Sequence, residues 1–432
     1  MRYRDRIEAA HSDPYQLERL FQTSQEEGNE AVFNTDIVAC HRAEPDNLLY
    51  AAWVHRLETA RPKSSSGLQR TNWRLALPLS LATGLILWLL SDSSLTYHAP
   101  QVPYLAHLGA PVLAVITVAF LNATARKGYR RSAWTSAALA AVLTYVMSLS
   151  AEKGDYLLLM APHILLLSWC AVGYSVIGTG ASTLNKFAFL IKSIEAVVTV
   201  GVFLTATFVF SGITLTMFEV MDVEIADAAI RLLFVGLPGS ITILAIAIVY
   251  DPLAPPMHQE FKRGIGRLIA TFPRVLLALT IVVLVIYLVV IMFNFMAPFE
   301  NRAVLIIYNV MLFSVMGLLV GATPVSADDV SEQLQIGLRS AIIIVTALVV
   351  TVSLYSLAAV VYRTITSGLT INRITVLGWN SINIGLLAML IVRQFRCDKA
   401  KWIPALQQTF SDGIYPYIVW AVFVTIFTPW LF

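Results

Sequence analysis

The chain has 432 residues, of which 57% are apolar and 13% charged, with a mean hydropathy of +0.71 and a formal net charge of +3. A soluble globular domain has about 45–50% apolar and about 25% charged residues, and disorder needs low hydropathy with high net charge, so both classes are excluded. The apolar residues fall in blocks close to the roughly 20 residues a helix needs to cross hydrocarbon, which predicts an all-α, polytopic transmembrane helix bundle.

Met1 to Ala10 is polar and charged, without the apolar core of a cleavable signal peptide. Asp13-Pro14 reads as a cap and first helical position. Leu17, Leu20 and Phe21 then make one apolar face, Gly28 interrupts, and Val32, Phe33, Ile37 and Val38 make a second. Glu44-Pro45-Asp46 opens a third helix carrying Leu48, Leu49, Ala52, Trp53 and Leu57. Residues 1–60 are therefore expected to form a small cytoplasmic helical domain. Residues 61–72 (RPKSSSGLQRTN) form a flexible basic linker suited to anionic headgroups, and residues 73–432 form the transmembrane domain. The small domain is either a cap without a partner or a docking module for a cytoplasmic protein; docking predicts Phe33 and Trp53 in an exposed patch.

Eleven spans follow in chain order: Trp73 to Leu90, Tyr104 to Leu121, Trp134 to Leu149, Tyr156 to Ile177, Ile194 to Leu215, Leu232 to Tyr250, Val275 to Phe295, Ala303 to Ala322, Ser340 to Tyr362, Ile374 to Val392, and Tyr415 to Leu431. None alternates like a barrel strand, so each is expected to be a helix with its backbone bonds satisfied internally. With the N-terminus inside, 25 of the 30 Lys and Arg fall on the inner side, leaving only Lys153, Arg231, Arg302, Arg363 and Arg373 outside. That bias predicts an N-in, C-out chain. A re-entrant pair near Ser182 to Leu190 or Pro324 to Leu338 would change the count.

Two inner segments have the pattern of helices lying in the headgroup plane. One has Phe261, Ile265, Leu268, Ile269 and Phe272 on a face flanked by basic residues; the other repeats Trp402, Leu406 and Phe410 beside Lys399 and Lys401. Each could equally be a span extended into the cytoplasm. Between spans five and six, Glu219, Asp222, Glu224 and Asp227 make an acidic stretch.

Inside a membrane an ionisable side chain is costly unless paired or hydrated, and so points to function. Apart from Tyr and Cys, and from Arg74 at the inner entrance of the first span, the spans contain only His107, His163 and Glu195. Glu195 follows Lys192 by three residues, the spacing of an interfacial ion pair on one helix face. The two histidines enter at similar depth, a geometry open to helix packing or, without a third ligand in the pattern, to metal. Gly236, Pro238, Gly239 and Ser240 interrupt span six, as a kink filled by neighbouring helices or as a discontinuous-helix site. Asn309, Asn380 and Asn383 can bridge helices by hydrogen bonds. Cys40, Cys170 and Cys397 lie far apart, without disulfide-framework or zinc spacing. No nucleotide, metalloprotease, hydrolase or calcium-loop motif occurs, so neither a catalytic residue nor a cofactor is assigned, and no nucleic-acid face is expected.

One segment is specific: Gly368-Leu-Thr370-Ile-Asn372-Arg373, running into Gly378-Trp379-Asn380. It resembles the GLTxNR signature of a bacterial inner-membrane family, domain of unknown function 4153, with Ser367 standing where relatives are expected to carry an aromatic residue. The resemblance covers about Trp73 to Arg396 and implies a multi-pass protein of the bacterial cytoplasmic membrane, with no stated activity. Read physically, Gly368 permits a reversal between spans nine and ten. Thr370 or Asn372 can cap the next helix. Arg373 then stands at a helix N-terminus, where a cation is disfavoured and a partner is expected. Arg363 and Arg373 could clamp a phosphate or carboxylate, or simply fix the helix ends. The expected ligand-binding residues are thus Arg363, Thr370, Asn372 and Arg373. The expected role is to bind or transport a small anionic or lipid-like ligand among anionic membrane lipids, with a scaffold or sensor as the alternative.

Overall fold

The computed structural model describes residues 3–26, 30–60, 71–97, 102–149, 154–261 and 265–431. The chain divides into two units, Met1–Arg70 and Thr71–Phe432. Most of the expected linker, 61–70, lies outside the described residues. Its last two positions belong to the second unit, where the Thr71 hydroxyl donates to the Ala247 carbonyl at 3.3 Å.

The first unit contains four helices rather than three: α1 (Tyr3–Ala9), α2 (Pro14–Glu26), α3 (Glu30–Ala43) and α4 (Leu48–Ala60). The Asp13 side chain accepts from the amides of Tyr15 and Gln16 at 2.9 and 3.1 Å, so it caps α2. Asn47 caps α4 through Leu49 and Tyr50 at 3.0 and 3.3 Å, which starts that helix at Leu48 instead of Glu44-Pro45-Asp46. The additional α1 contributes Ile7 to a core with Leu17, Phe33, Ile37, Tyr50, Trp53 and Leu57. Phe21, Phe33 and Trp53 pack with ring centroids 5.4–5.8 Å apart. Phe33 and Trp53 are sealed inside, which corrects the exposed patch that docking predicted.

The second unit is a helical bundle: α5 (Trp73–Leu90), α6 (Tyr104–Ala125), α7 (Tyr129–Met147), α8 (Gly154–Ile177), α9 (Thr183–Val220), α10 (Asp227–Arg231), α11 (Leu237–Val249), α12 (Ile265–Phe293), α13 (Ala297–Glu300), α14 (Arg302–Ala322), α15 (Glu332–Ser367), α16 (Ile371–Arg396), α17 (Trp402–Ile426) and α18 (Thr428–Leu431). A two-residue antiparallel pair, β1 (Thr96–Tyr97) with β2 (Val102–Pro103), ties the turn between α5 and α6. Among the described residues ten helices are long and apolar enough to cross a membrane, counting α10 and α11 as one through the π turn Leu232–Gly236. The expected third span forms α7, which opens on Tyr129-Arg130-Arg131-Ser132 and is not among those ten.

Several expectations change with this layout. The suspected re-entrant segments are not separate pairs: residues 183–190 begin α9 and residues 332–338 begin α15. The α9 helix has 38 residues, about 57 Å at 1.5 Å per residue, so it outruns the hydrocarbon at its ends. Trp402, Leu406 and Phe410 do not lie in the headgroup plane, because they are buried in the main core with Leu319, Val345 and Leu387. Ile265 opens a single helix running through Pro273 to Phe293, continuous with the apolar span Thr271–Phe293. The Lys262–Gly264 part of the pattern lies outside the described residues.

Hydrogen bonds mark the two ends of the bundle. At one end, Asn72 donates to Thr124 at 3.5 Å, Arg274 to the Ala322 carbonyl at 3.4 Å, and Gln407 to the carbonyls of Pro324 and Val325 at 2.9 Å each. At the other, Trp88 donates to the Ala228 carbonyl at 2.7 Å, Tyr145 to that of Ile426 at 2.8 Å, and Arg363 to that of Glu300 at 3.3 Å. The first end carries Lys192, Arg274, Arg339, Arg393 and Arg396, and is called the basic end below.

Candidate functional site

Helices α15 and α16 form a hairpin closed by residues 368–370. Gly368 takes φ +81°, the left-handed region that the expected reversal requires. The Thr370 hydroxyl accepts from the Arg373 amide at 3.4 Å, so Thr370 is the cap. The partner of the Arg373 guanidinium is the Gly368 carbonyl, and that of Arg363 is the Glu300 carbonyl. Both arginines therefore complete backbone acceptors in the loops at this end, and no contact joins them into a clamp. Asn372 is half-buried in the first turn of α16.

Deeper in the hairpin the polar residues have a different character. Asn380 is 1% exposed, and neither its carbonyl oxygen nor its amide nitrogen has a hydrogen-bond partner. Asn383, fully buried, accepts from the Tyr417 hydroxyl of α17 but leaves its amide nitrogen unbonded. On the facing helix the buried Ser353 and Ser356 hydroxyls are likewise unbonded. Other hydroxyls of α15 return to the carbonyl four residues back, as in Thr346 to Ile342 at 2.6 Å and Thr351 to Ala347 at 3.0 Å. Counting from the turn at 1.5 Å per residue puts Ser356 and Asn380 about 17 and about 14 Å deep, and Ser353 and Asn383 about 21 and about 18 Å deep. All four thus lie about half the thickness of a roughly 30 Å hydrocarbon layer from the turn, and an unsatisfied polar group costs most at the middle of such a layer.

Aromatic rings flank this stretch. Trp379 stacks on His163 of α8 with centroids 5.8 Å apart, packs against Tyr417 at 5.4 Å, and meets Phe313 of α14 edge-on at 5.8 Å. Its indole N–H reaches His163 Nε2 at 3.2 Å, while His163 Nδ1 lies 2.9 Å from the Leu159 carbonyl. Asn309 of α14 donates to the Leu305 carbonyl at 2.8 Å and keeps its own oxygen unbonded. The resulting set is neutral: amides, hydroxyls, an imidazole and aromatic faces, suited to hydrogen-bonding and stacking rather than to acid–base chemistry.

The other intramembrane candidates stand apart from it. His107 is buried on α6, with Nε2 2.7 Å from the Leu157 carbonyl. Glu195 does pair with Lys192 at 2.8 Å, at the i, i+3 spacing, and the pair is buried within the protein at the basic end, with side-chain exposures of 9% and 4%. Lys192 also donates to the carbonyls of Val249, at 3.5 Å, and Glu260, and lies 4.9 Å from the Phe261 ring. This lysine fastens the 250–261 loop to α9. The small residues of span six serve close packing: Ser80 donates to the Ser240 carbonyl at 2.7 Å, and a Cβ on Gly84 would come within 2.5 Å of the Gly236 carbonyl oxygen. No family model, curated protein or solved structure matches the chain.

Sequence reasoning found Asn380, Asn383 and His163 as polar intramembrane residues. It missed Ser353, Ser356, Trp379 and Tyr417, because serines that usually satisfy themselves on the helix backbone, and aromatics in an apolar run, carry no distinguishing pattern.

Proposed function

We propose that this is a multi-pass protein of the bacterial cytoplasmic membrane that binds, and passes across the bilayer, a small anionic or lipid-like ligand along the α15–α16 hairpin. In this reading Arg363, Thr370, Asn372 and Arg373 form the outer mouth, and Asn380, Asn383, Ser353 and Ser356 receive the ligand's polar groups at mid-depth. The observation that carries it is Asn380, a buried amide with both polar atoms unbonded in a bundle that otherwise satisfies most of its side chains. Leaving such a group unpaired costs about 1–3 kcal/mol, and a leucine there would not incur it.

The reading takes the membrane unit as eleven traversals with the basic end in the cytoplasm. Support for the eleventh comes from α7. Its Thr135 meets Ser175 at 3.0 Å near one end of α8, and its Val146 packs with Tyr156 and Leu157 near the other, so it runs alongside α8 for most of its length. The resemblance of Gly368–Arg373 to the inner-membrane family supports the location.

The test is thiol accessibility. In a chain with Cys40, Cys170 and Cys397 replaced by serine, Asn380→Cys and Ser356→Cys should react with a water-soluble thiosulfonate in reconstituted vesicles, while Leu354→Cys, on the exposed face of α15, should not. Protection of all three would refute a hydrated route through the hairpin.

A further inference from the structure

At the basic end a shallow, open cleft of about 400 Å³ lies between α16 and α17, lined by Met389, Val392, Arg393, Arg396, Cys397, Ala405 and Gln408. Its charges are unevenly satisfied. Arg393 is neutralised by Asp412 at 2.8 Å and also reaches Thr409 at 3.2 Å. Arg396 is exposed and has no hydrogen-bond or ion-pair partner among the described residues. Arg339, which touches Cys397 of the cleft lining, donates to the Gln394 carbonyl and to Cys397 Sγ, the latter at 3.7 Å, and its charge meets no carboxylate among the described residues. Two positive charges are thus left over beside an opening that also presents apolar surface on the same helix, with Val392 46% exposed, and Ala405 and Gln408 on the facing helix.

Depth selects the kind of anion. Arg393 and Arg396 lie about 33 and about 38 Å along α16 from Ile371, just beyond the roughly 30 Å of hydrocarbon. The cleft therefore presents guanidinium groups at headgroup level, with Val392, about 32 Å along, at the boundary and Met389, about 27 Å along, at the level of acyl chains. A soluble phosphate would use only the charged part of this surface; a phospholipid would use both.

We propose that the α16–α17 cleft binds an anionic phospholipid, with its phosphate at Arg396 and Gln408 and an acyl chain along Met389 and Val392. Guanidinium-to-phosphate contact gives short, charge-assisted hydrogen bonds, and the chain contact adds apolar burial that a free anion lacks. This site is separate from the mid-depth cluster of the hairpin and does not depend on ligand transport there.

Native mass spectrometry of the full-length protein, titrated in detergent with phosphatidylglycerol or phosphatidylcholine, tests it. Wild type is expected to bind phosphatidylglycerol about tenfold more tightly than phosphatidylcholine. Arg396→Gln, an exposed substitution compatible with folding, should remove about that factor, the loss of one charge-assisted contact. Lys399→Gln, the same charge change outside the cleft, should leave binding intact, and millimolar inorganic phosphate should not compete. Equal losses in both variants would mean diffuse attraction to the basic end, competition by phosphate would mean a soluble-anion site, and undiminished binding in Arg396→Gln would mean the cleft is not used. Each of these outcomes overturns the proposal.

Discussion

Trp379 and His163, from helices far apart in the chain, are joined by an indole-to-imidazole hydrogen bond of 3.2 Å. An indole nitrogen can only donate, so Nε2 of His163 is the acceptor and the proton of the neutral ring sits on Nδ1, facing the Leu159 carbonyl 2.9 Å away. Both ring nitrogens are thereby engaged, and α8 is pinned to α16. Trp379→Phe keeps an aromatic surface but strands a buried acceptor, which costs about 1–3 kcal/mol. Thermal unfolding in detergent should show a lower midpoint, and nitrogen-15 spectra of histidine-labelled wild type should show a protonated Nδ1. A protonated Nε2 would contradict the assignment.

The buried pair Lys192–Glu195 makes a sharper stability prediction. Lys192→Met leaves a carboxylate in the interior without its partner and frees the carbonyls of Val249 and Glu260, a loss of about 3–5 kcal/mol. Adding Glu195→Leu removes the stranded charge, so the double variant should recover much of the loss. Unfolding midpoints of the four members of the cycle check this; additive losses would mean that the two side chains act independently.

Close approach of α5 and α11 rests on the absence of a side chain at Gly84. A Cβ there would stand 2.0 Å from Ser240 Oγ and 2.5 Å from the Gly236 carbonyl oxygen. The backbone atom cannot swing aside as a side chain can, so Gly84→Ala should force the helices apart at a cost of about 1–3 kcal/mol or more. Gly317→Ala, at a helical position with open space around it, should be tolerated. Comparable expression and melting of the two variants would contradict the packing.

In the small unit, Arg56 holds the Glu18 carboxyl below its ordinary range by hydrogen bonding and charge, against some desolvation. A carboxylate with a lowered folded-state pKa contributes its full stabilisation above the unfolded-state value near 4.3, and loses it as pH falls through the folded value. The pair is partly exposed, so the contribution is about 0.2–1 kcal/mol. Hydrogen-exchange protection relative to the intrinsic rate in α2 and α4 of the full-length chain should therefore fall below about pH 4 more in wild type than in Glu18→Gln. Identical pH profiles would remove the pair as a source of acid sensitivity.

Most of the long apolar helices were legible because an apolar block of about 20 residues has few folded alternatives, and because caps such as Asp13 and Thr370 act through local geometry. What each helix faces was not legible. An apolar residue every fourth position looks the same whether it meets headgroups or protein, and so Trp402, Leu406 and Phe410 were misassigned to the membrane surface. The same limit hid the polar site: Asn380 reads as a helix bridge in sequence, and only packing shows that its amide meets no partner while Ser353 and Ser356 lie at the same depth.

Asn380 also separates stability from function. If the buried amide serves a ligand, the empty protein carries its desolvation cost, and Asn380→Leu, with the same heavy-atom count and branching, should raise the unfolding midpoint in detergent by the equivalent of about 1–3 kcal/mol. The same variant should lose whatever small molecule co-purifies with wild type, as read by native mass spectrometry. The conservative Asn380→Asp would place an acid at mid-depth and should be destabilising, because charge there is costlier than a neutral amide. A lower midpoint for Asn380→Leu would show that the amide already has its hydrogen bonds within the folded bundle, and that its role is to hold helices together.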